Sequence, residues 1–486
     1  MLSSEELRGL RTIIVGAARE GTALARYLVH AGAQVVLTDS KPREALTKPL
    51  ADLADLPIEF ALGCNELDLS AVDVLFLSPG VPPWAKIVQQ AREQGVPISS
   101  EPRLFTQLCA APIVGITGSS GKTTTTSMVG LMYAKDGKQT WVGGNIGKPL
   151  IEDLLEGGQP DIAVMELSSF QLELFAPDYQ GPQVEQRRTA ASRAVSVEGY
   201  SPRIAAVTNV TPNHLDRHPS MEDYTRAKTH ILEYQGGDDW AVLNEDNDLT
   251  RGFARSLVRG RLLQFSLENE VEQGAFLQGE RLMLRFDGRE QFLCHAGEVK
   301  LRGRHNLGNT LTAACCALAG GVSVAAIREV ATSFGGVAHR QENVRIWRDV
   351  LFVNDSIATS PERALAALRS YTEPLVLLAG GRDKHLPWEA WADCVLERAR
   401  VVVAFGEAVP IIERALAEAR QRANDANGNG IEYYAVESLE QAVPLAARMA
   451  RPGEVVLLSP GGTSFDGFVD FEARGQRFCE LVAALA

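Results

Sequence analysis

Residues 115–126 read GITGSSGKTTTT, a run of glycine, lysine and hydroxyl side chains that could bind phosphate. Backbone N–H groups at a helix start hold phosphate oxygens, Lys122 would reach the β- and γ-phosphates, and the Thr123 hydroxyl would bind Mg²⁺. The common loop G-x-x-x-x-G-K-[ST] needs glycine at 116, but this chain has Ile116 there and Gly115 one residue earlier. The pattern indicates a nucleotide site of an uncommon kind, and its alternative is a glycine turn beside an exposed lysine.

Other residues could take part in phosphate chemistry, which relies on metal ions and cations around the transferred group. Glu166 ends a predicted strand, and a carboxylate there can bind Mg²⁺ through oxygen. Taken alone, His214 is a turn-capping histidine and Lys228 a solvated cation on a helix. Asn306 and Asn309 lie one helical turn apart and could equally be a helix cap and its neighbour.

The composition sets limits on function. A chain of 486 residues is too long for one core, and we expect roughly two or three domains. The net charge of -13 argues against a nucleic-acid or anionic-membrane surface. The seven cysteines form no CxxC pair, and the first residues lack the basic start of a signal peptide, so we expect reduced thiols in a cytoplasmic protein. The apolar stretch 306–327 predicts a buried helix followed by a turn rather than a membrane span.

Alternating strands and helices predict an α/β protein with three domains. The N-terminal domain, 1–111, is expected to be Rossmann-like, and the C-terminal domain, 338–486, likewise. The central domain, 112–337, contains the phosphate loop and is expected to have a mostly parallel, P-loop ATPase-like sheet. Residues 181–202 are polar and without clear periodicity, and they predict a loop or insertion.

The pattern T-G-x-x-G-K-[ST]-T at residues 117–124 resembles the superfamily of Mur ligases and folylpolyglutamate synthetases, ATP-dependent enzymes that join an amine to a carboxylate. Matching segments follow in order through all three predicted domains, and the chain is identified on them as a member of the Mur ligase family. They are WVGGNIGKPL (141–150), MELSSFQLE (165–173), NVTPNHLDRH (209–218), YTRAKTHI (224–231), RGRHNLGNTLTA (302–313), AHRQE (338–342), NDSIAT (354–359), LAGGRDK (378–384) and LLSPGGTSFDGFVDFEARG (457–475).

The resemblance implies ATP and Mg²⁺ as cofactors. Lys122, Glu166, His214 and Lys228 would be catalytic, and the metal would be supported by Thr123, Glu166, His214 and Lys228, the last as a carbamate. The implied ATP contacts are Gly115, Thr117, Gly118, Ser119, Ser120, Gly121, Lys122, Thr123, Thr124, Asn306, Asn309, Arg340 and Asp355.

The resemblance also implies UDP-N-acetylmuramoyl-L-alanine and glutamate as substrates. The nucleotide-sugar contacts would be Gly16, Arg19, Glu20, Asp39, Ser78, Pro79, Gly80, Asn145 and His214. The glutamate contacts would be Thr359, Lys384, Ser464 and Phe471. GAAREG (16–21) could instead suggest a dinucleotide fingerprint, but Ala18 replaces the glycine that lets the pyrophosphate approach the backbone, so nicotinamide chemistry is weakly supported.

We therefore expect an ATP-dependent ligase of peptidoglycan precursor synthesis that acts as a monomer, without nucleic-acid or membrane partners. One departure concerns glutamate: Ile357 stands where the family pattern has lysine, which leaves open whether the D or the L isomer is used. A folate-polyglutamating ligase is a second possibility, although GKTT and ELSSFQLE do not fit that group. A nucleotide-gated binding protein is a third, but it would not need Glu166 and Lys228 together.

Overall fold

The computed structural model describes residues 2–63, 67–187, 195–214, 217–301, 303–384, 386–423 and 431–485. Its contacts divide the chain into two compact units, Met1–Phe334 and Gly335–Ala486. The first unit contains two β-sheets and the second contains one, each flanked by helices, within the ranges described. The α/β class predicted from the alternation of strands and helices is confirmed.

The first sheet is parallel and consists of short apolar strands in the order β3-β2-β1-β4-β5. Apolar, β-branched runs such as RTIIV favour extended backbone and are buried between helices on both faces. The strands are β1 (Arg11–Val15), β2 (Gln34–Asp39), β3 (Ile58–Leu62), β4 (Val74–Leu77) and β5 (Ile98–Ser99). The helices are α1 (Arg19–His30), α2 (Thr47–Ala51), α3 (Lys86–Gln94) and α4 (Glu101–Leu108).

The second sheet has the order β14-β13-β12-β11-β10-β9-β6-β8-β7. Its pairs from β7 to β12 are parallel, whereas β12–β13 and β13–β14 are antiparallel. The strands are β6 (Ile113–Thr117), β7 (Thr140–Gly144), β8 (Ile162–Glu166), β9 (Ile204–Val207), β10 (Trp240–Asn244), β11 (Arg261–Ser266), β12 (Gly274–Gln278), β13 (Arg281–Phe286) and β14 (Arg289–His295).

Helices cover this second sheet. They are α5 (Lys122–Lys135), α6 (Ser169–Glu173), α7 (Val184–Arg187), α8 (Met221–Glu233), α9 (Asp248–Ser256), α10 (Arg304–Ala319) and α11 (Val324–Ser333). The buried helix predicted within 306–327 is confirmed as α10, which ends at Ala319 before a turn. In the described part of the chain, every helix is too short or too polar to cross a membrane.

The second unit has one sheet in the order β15-β16-β20-β17-β18-β19, antiparallel only between β15 and β16 among the described strands. Its strands are β15 (Glu342–Trp347), β16 (Val350–Asn354), β17 (Leu375–Gly380), β18 (Ala399–Phe405), β19 (Glu432–Val436) and β20 (Val455–Gly461). Its helices are α12 (Pro361–Leu368), α13 (Glu389–Arg398), α14 (Val409–Arg422), α15 (Leu439–Met449) and α16 (Phe471–Ala483).

The polar segment 181–202 contains α7 and then returns to the first sheet; its residues 188–194 lie outside the described part. Val195 is fully buried in the core of the first sheet, and Arg103 of α4 donates to the Glu198 carbonyl oxygen at 2.7 Å. Just before this segment, the Gln180 side chain accepts from the Ile98 N–H at 2.9 Å and donates to the Ile98 carbonyl at 2.7 Å. These contacts tie the chain that follows α6 to the first sheet.

Candidate active site

The predicted phosphate loop lies between β6 and α5, as its strand–loop–helix context requires. Two of its glycines have left-handed backbone angles, with φ of +151° at Gly118 and +82° at Gly121. A Cβ atom on Gly118 would lie 1.9 Å from Thr208 Oγ1, and one on Gly121 would lie 2.2 Å from Asn309 Oδ1. Glycine is therefore required at both positions for conformation and for space.

The third predicted glycine, Gly115, lies in the strand before the loop rather than in the loop itself. It lies inside β6, and a Cβ atom there would be 2.5 Å from Pro202 Cγ and 3.3 Å from Ile231 Cδ1. Close packing within unit 1 accounts for this glycine. A phosphate contact by Gly115 stays a prediction.

Groups that we did not predict hold the loop in place. The N–H groups of Ser119 and Ser120 donate to Asn209, to its carbonyl oxygen at 2.9 Å and its Oδ1 at 3.1 Å. Ser119 Oγ also lies 2.9 Å from the hydroxyl of Tyr224, a buried residue of α8. Asn209 is the second residue after β9, at the carboxyl edge of the parallel sheet where ligand sites are expected. That position in the sequence could have identified it.

Lys122 and Lys228 approach the loop from two helices. Lys122 Nζ donates to the carbonyls of Gly118 at 2.9 Å and Ser119 at 3.3 Å. Lys228 is only 1 % exposed, and its Nζ donates to Gly118 O and, at 3.4 Å, to Thr117 Oγ1. Burial, and then the charge of Lys122, lower the pKa of Lys228 well below its ordinary value, while Glu166 opposes the shift. Lys228 is thus buried beside the loop rather than solvated on the surface of its helix.

Glu166 ends β8 with its carboxylate buried. Its Oε1 accepts from Asn145 Nδ2 at 2.7 Å, and within the described residues its buried Oε2 has no hydrogen-bond partner. An unpartnered buried carboxylate oxygen is costly unless a ligand satisfies it. With the hydroxyl-bearing Thr123 at the start of α5, this donor set fits Mg²⁺, which takes one or two carboxylates together with phosphate and water oxygens.

The described residues contain no group of three or more histidine, cysteine, aspartate or glutamate side chains arranged to hold a metal by themselves.

His214, predicted as a catalytic, metal-site and substrate residue, is exposed and has a left-handed φ of 53°. Its ring lies edge-on to Phe170 with centroids 5.2 Å apart. Non-glycine residues in this conformation store backbone strain and often occur at functional sites. By contrast, His218 is buried against Ser169, and burial, followed by the charge of Arg217, lowers its pKa to about 4. His218 is therefore a buried histidine whose pKa lies below its ordinary range.

A cavity of about 400 Å³ opens beside the phosphate loop. It contains the predicted contacts Ser120, Gly121 and Asn309, while Asn306 accepts from Asn309 Nδ2 at 2.9 Å. Several of its polar and aromatic lining residues carry no signal that predicted them from the sequence; they are Asn244, Asp246, Phe265 and His305. Leu215, Asp216 and Arg302, from the segments that carry the family resemblance, lie outside the described residues.

A second cavity, of about 430 Å³, lies at the carboxyl edge of the first sheet. It is lined by all seven nucleotide-sugar residues predicted in this part of the chain: Gly16, Arg19, Glu20, Asp39, Ser78, Pro79 and Gly80. The Asp39 carboxylate accepts from the N–H groups of Ala17 and Lys41, each at 2.9 Å, and so shapes the cavity wall. The predicted residues are thus brought together in one cavity.

In the second unit, Asp355 is buried beside β20. Its carboxylate accepts from Ser459 Oγ at 2.9 Å and from the Gln341 N–H at 3.2 Å, and burial raises its pKa to about 7. The Asp355 carboxylate, which was predicted to contact the ribose of ATP, is thus hydrogen-bonded to Ser459 and to the backbone of Gln341. Arg340, predicted beside it, is exposed.

Of the residues predicted to bind glutamate, Lys384 lies in the chain that follows β17. Lys384 is exposed, and partial burial together with the nearby charge of Arg363 lowers its pKa. Arg363, in the first turn of α12, is a cation that the sequence analysis did not single out.

Of the remaining residues predicted to bind glutamate, Thr359 and Ser464 lie in loops and Phe471 is the first residue of α16. Ser464 is buried, whereas Thr359 and Phe471 are half-buried. The fully buried Arg474 donates to Ser356 O at 2.9 Å and to Gly462 O at 3.1 Å. It thereby fixes the loop after β16, which contains Thr359, and the loop after β20, which contains Ser464.

Comparison with known proteins adds to this geometry. Residues 10–100 match the MurD-like N-terminal domain of Mur ligases, 116–180 and 185–317 match the Mur ligase middle domain, and 339–462 match the Mur ligase glutamate ligase domain. The chain is 39% identical to the UDP-N-acetylmuramoylalanine--D-glutamate ligase of Symbiobacterium thermophilum, covering 98% of each chain. It is 38% identical to the protein of that name from Acetivibrio thermocellus, over 99% of this chain and 98% of the other.

Solved structures support the fold. The UDP-N-acetylmuramate-alanine ligase of Thermotoga maritima aligns with a TM-score of 0.53 at 20% identity, over 98% of this chain and 99% of the other. MurF of Acinetobacter baumannii aligns with a TM-score of 0.54 at 17% identity, over 99% and 93%.

Proposed function

Because the chain belongs to the Mur ligase family, within the group of UDP-N-acetylmuramoylalanine--D-glutamate ligases, we propose that it joins D-glutamate to UDP-N-acetylmuramoyl-L-alanine at the expense of ATP. The observation that carries the proposal is the buried Oε2 of Glu166, which has no hydrogen-bond partner in the part of the chain that the structure describes, close to Lys122 and Lys228. A site that transfers a phosphoryl group needs these charges, whereas a nucleotide-gated binding protein does not.

The reaction has two chemical steps. First, the carboxylate of the L-alanyl group attacks the γ-phosphorus of ATP, the bond to the β,γ-bridging oxygen breaks, and an acyl phosphate and ADP result. The amine of glutamate then attacks the acyl carbon, loses a proton, and displaces inorganic phosphate to leave the amide. Lys122 would stabilise the negative charge that develops on the transferred phosphoryl group.

We propose that Thr123, Glu166, His214 and Lys228 support Mg²⁺ here, with Asn145 holding Glu166. When bound, the ion supplies positive charge that neutralises phosphate oxygens and orients them for in-line attack. A carbamate on Lys228 would add a second anion to the single buried carboxylate. Support for this modification comes from the burial of Lys228 and from its lowered pKa, because only an uncharged amine adds CO₂.

We propose that the 430 Å³ cavity of the first sheet binds the UDP portion of the substrate. The 400 Å³ cavity beside the phosphate loop would bind the nucleoside of ATP through Asn306 and Asn309. In the second unit, Lys384 would bind a glutamate carboxylate, with Thr359, Ser464 and the backbone at Phe471 fixing its orientation. The domain limits 1–111, 112–337 and 338–486, a monomeric state and a cytoplasmic location are part of the same proposal.

The proposal can be tested by incubating the purified protein with ATP, Mg²⁺, UDP-N-acetylmuramoyl-L-alanine and either isomer of glutamate. Phosphate release and the mass of the product report the reaction. We expect one phosphate for each amide formed with D-glutamate. Amide formation with L-glutamate alone would overturn the assignment of the isomer, which rests on relatives and not on Ile357. Release of phosphate with a folate and no nucleotide sugar would overturn the assignment of the substrate.

A further inference from the structure

The first turn of α1 lies between the cavity proposed for UDP and the carboxylate proposed for Mg²⁺. Arg19 and Glu20 line the 430 Å³ cavity. Both side chains also leave the first sheet and bond to segments of the second sheet that adjoin Glu166. A substrate role alone does not explain these bonds.

Arg19 contacts the loop that follows β7. Its guanidinium donates to Gly147 O at 2.6 Å and to Gly144 O at 3.5 Å, on either side of Asn145 in the chain. Asn145 in turn donates twice to Glu166, from Nδ2 to Oε1 at 2.7 Å and from its backbone N–H to the carbonyl oxygen at 2.9 Å. Arg19 thus holds the loop that holds Glu166.

The backbone just before Asn145 is packed against Glu166. Gly144, the last residue of β7, pairs with Glu166 in the sheet. Its φ is +93°, and a Cβ atom there would lie 2.5 Å from Glu166 O. A shift of Gly144 at Arg19 would therefore also move the end of β8 that carries Glu166.

Glu20 forms the second connection. It is 7 % exposed, and its Oε1 accepts from Gln171 Nε2 at 2.8 Å. Gln171 is fully buried, and its Oε1 accepts from the Ser168 N–H at 2.9 Å. Ser168 is the second residue after Glu166, so this route reaches the backbone just beyond the end of β8.

We propose that Arg19 and Glu20 are positioning residues for Glu166, through Asn145 and Gln171, and that they couple ligand binding in the UDP cavity to Mg²⁺ binding beside the phosphate loop. The inference rests on the proposed function for the identity of the two ligands. A ligand that orders the first turn of α1 also orders Glu166. Occupation of either site then favours occupation of the other by the same factor.

The test measures binding in the full-length protein. The affinity for the β,γ-imido analogue of ATP is determined by calorimetry over a range of Mg²⁺ concentrations, with and without UDP. In the unmodified protein we expect UDP to lower the Mg²⁺ concentration for half-maximal binding about fivefold or more. Arg19→Met and Glu20→Leu should abolish this effect and raise the Mg²⁺ requirement without UDP, while leaving analogue binding in EDTA unchanged.

Two further variants separate positioning from general docking of α1. Arg26, on the same helix, forms an ion pair with Glu152 but has no bond to Asn145 or Gln171 among the described contacts. Arg26→Met should therefore retain the normal Mg²⁺ requirement. Glu20→Gln keeps an acceptor for Gln171 and should restore the normal Mg²⁺ requirement that Glu20→Leu loses.

The outcomes are distinct. If folded Arg19→Met and Glu20→Leu keep the parent's Mg²⁺ requirement, or if Arg26→Met raises it equally, the positioning role is wrong. If UDP does not change the Mg²⁺ requirement of the unmodified protein, the coupling is wrong. A protein that shows the coupling but makes no amide would overturn the proposed reaction and leave the coupling intact.

Discussion

Lys122 and Lys228 donate to the same atom, the carbonyl oxygen of Gly118, each from 2.9 Å. Burial makes a charge on Lys228 costly, and the ammonium group of Lys122 at the same acceptor adds repulsion. The pKa of Lys228 is accordingly well below its ordinary value. A carbamate formed there keeps one N–H for Gly118, and its negative charge would face Lys122. The pair thus explains why an amine at this position would react with CO₂.

The first prediction follows from that pair. Lys228→Ala removes both the amine and any carbamate, and we expect kcat to fall about 10- to 100-fold, as for other losses of metal support. Added formate or acetate should restore part of the activity by occupying the space with a carboxylate. Steady-state phosphate release measures both effects. Full activity of Lys228→Ala, or no response to carboxylates in a folded variant, would contradict the carbamate.

The second prediction concerns Lys122. Without its cation at the transferred phosphoryl group, Lys122→Met should lose about 3 kcal/mol of transition-state stabilisation, roughly a hundredfold in kcat. The matched control is Lys138→Met, since Lys138 is an exposed lysine just beyond the end of the same helix. Unfolding monitored by circular dichroism should be the same for both variants. Equal activity of the two folded variants would remove Lys122 from the mechanism.

A third prediction addresses glutamate binding. Lys384→Ala should raise the KM for glutamate about tenfold, or about 1.4 kcal/mol, with ATP binding nearly unchanged. Arg363 lies close enough to lower the pKa of Lys384, so Arg363→Met should raise the same KM by a smaller factor. Ile357→Lys introduces the lysine of the family pattern and should lower the KM for glutamate. Kinetics with both glutamate isomers measure all three, and unchanged values in Lys384→Ala would refute this glutamate site.

A fourth prediction concerns pH. Glu20 and Glu101 are buried carboxyls whose pKa values are raised from 4.5 to about 7 and about 8, chiefly by burial and, for Glu101, also by Glu20. Arg19 lowers both values, and the Glu152 carboxylate raises that of Glu101 further.

The folded protein binds these protons more tightly than the unfolded chain does. Protonation of Glu20 and Glu101 therefore contributes its full share to the free energy of unfolding below about pH 4.5, and this contribution is lost as the pH rises to about 8. Glu101→Gln stays neutral, so it should raise Tm by about 2–4 °C at pH 9 relative to its effect at pH 5. The exposed Glu59→Gln is the control, and a difference that does not depend on pH would contradict the shift.

A fifth prediction compares two glycines of the GITGSSGK segment. Gly121→Ala would place a Cβ 2.2 Å from Asn309 Oδ1 at a left-handed φ and should weaken ATP binding about tenfold or more. Gly115→Ala would clash with Pro202 inside the sheet and should instead lower Tm. Calorimetric titration with ATP and thermal unfolding separate the two effects. Loss of ATP affinity in Gly115→Ala without loss of stability would return Gly115 to the phosphate site.

Local patterns predicted much of the fold. The apolar run around Ile14, the strand ending at Glu166 and the helix that begins before Asn306 all carry periodicity or boundary signals that residues close in sequence supply. The antiparallel pair β13–β14 was missed although Asp287-Gly288, with φ of 48° and 72°, forms the dipeptide turn typical of hairpins. The charged residues in both strands obscured the alternation of apolar and polar residues that would have marked them as a hairpin.

The contacts within the site could not be predicted in this way. Glu20 and Gln171 are 151 residues apart, and nothing in either local pattern specifies that α1 meets α6. The cavity residues Gly16, Asp39 and Ser78 were predicted from the family resemblance, and each lies at the carboxyl end of a strand of one parallel sheet. The glycine at position 115 could not be interpreted from the sequence alone, because close packing and a phosphate contact both require glycine.

The Gln180 side chain has a consequence for assembly. By occupying both the N–H and the carbonyl of Ile98, it acts as one residue of a further strand beside β5, which ends the first sheet. An open strand edge invites pairing with a strand of another molecule, the first step toward amyloid-like association. The Gln180 amide occupies the hydrogen-bonding groups of Ile98 at this edge. Because a side chain has no backbone N–H and C=O groups of its own to offer, a strand of another molecule cannot pair with it.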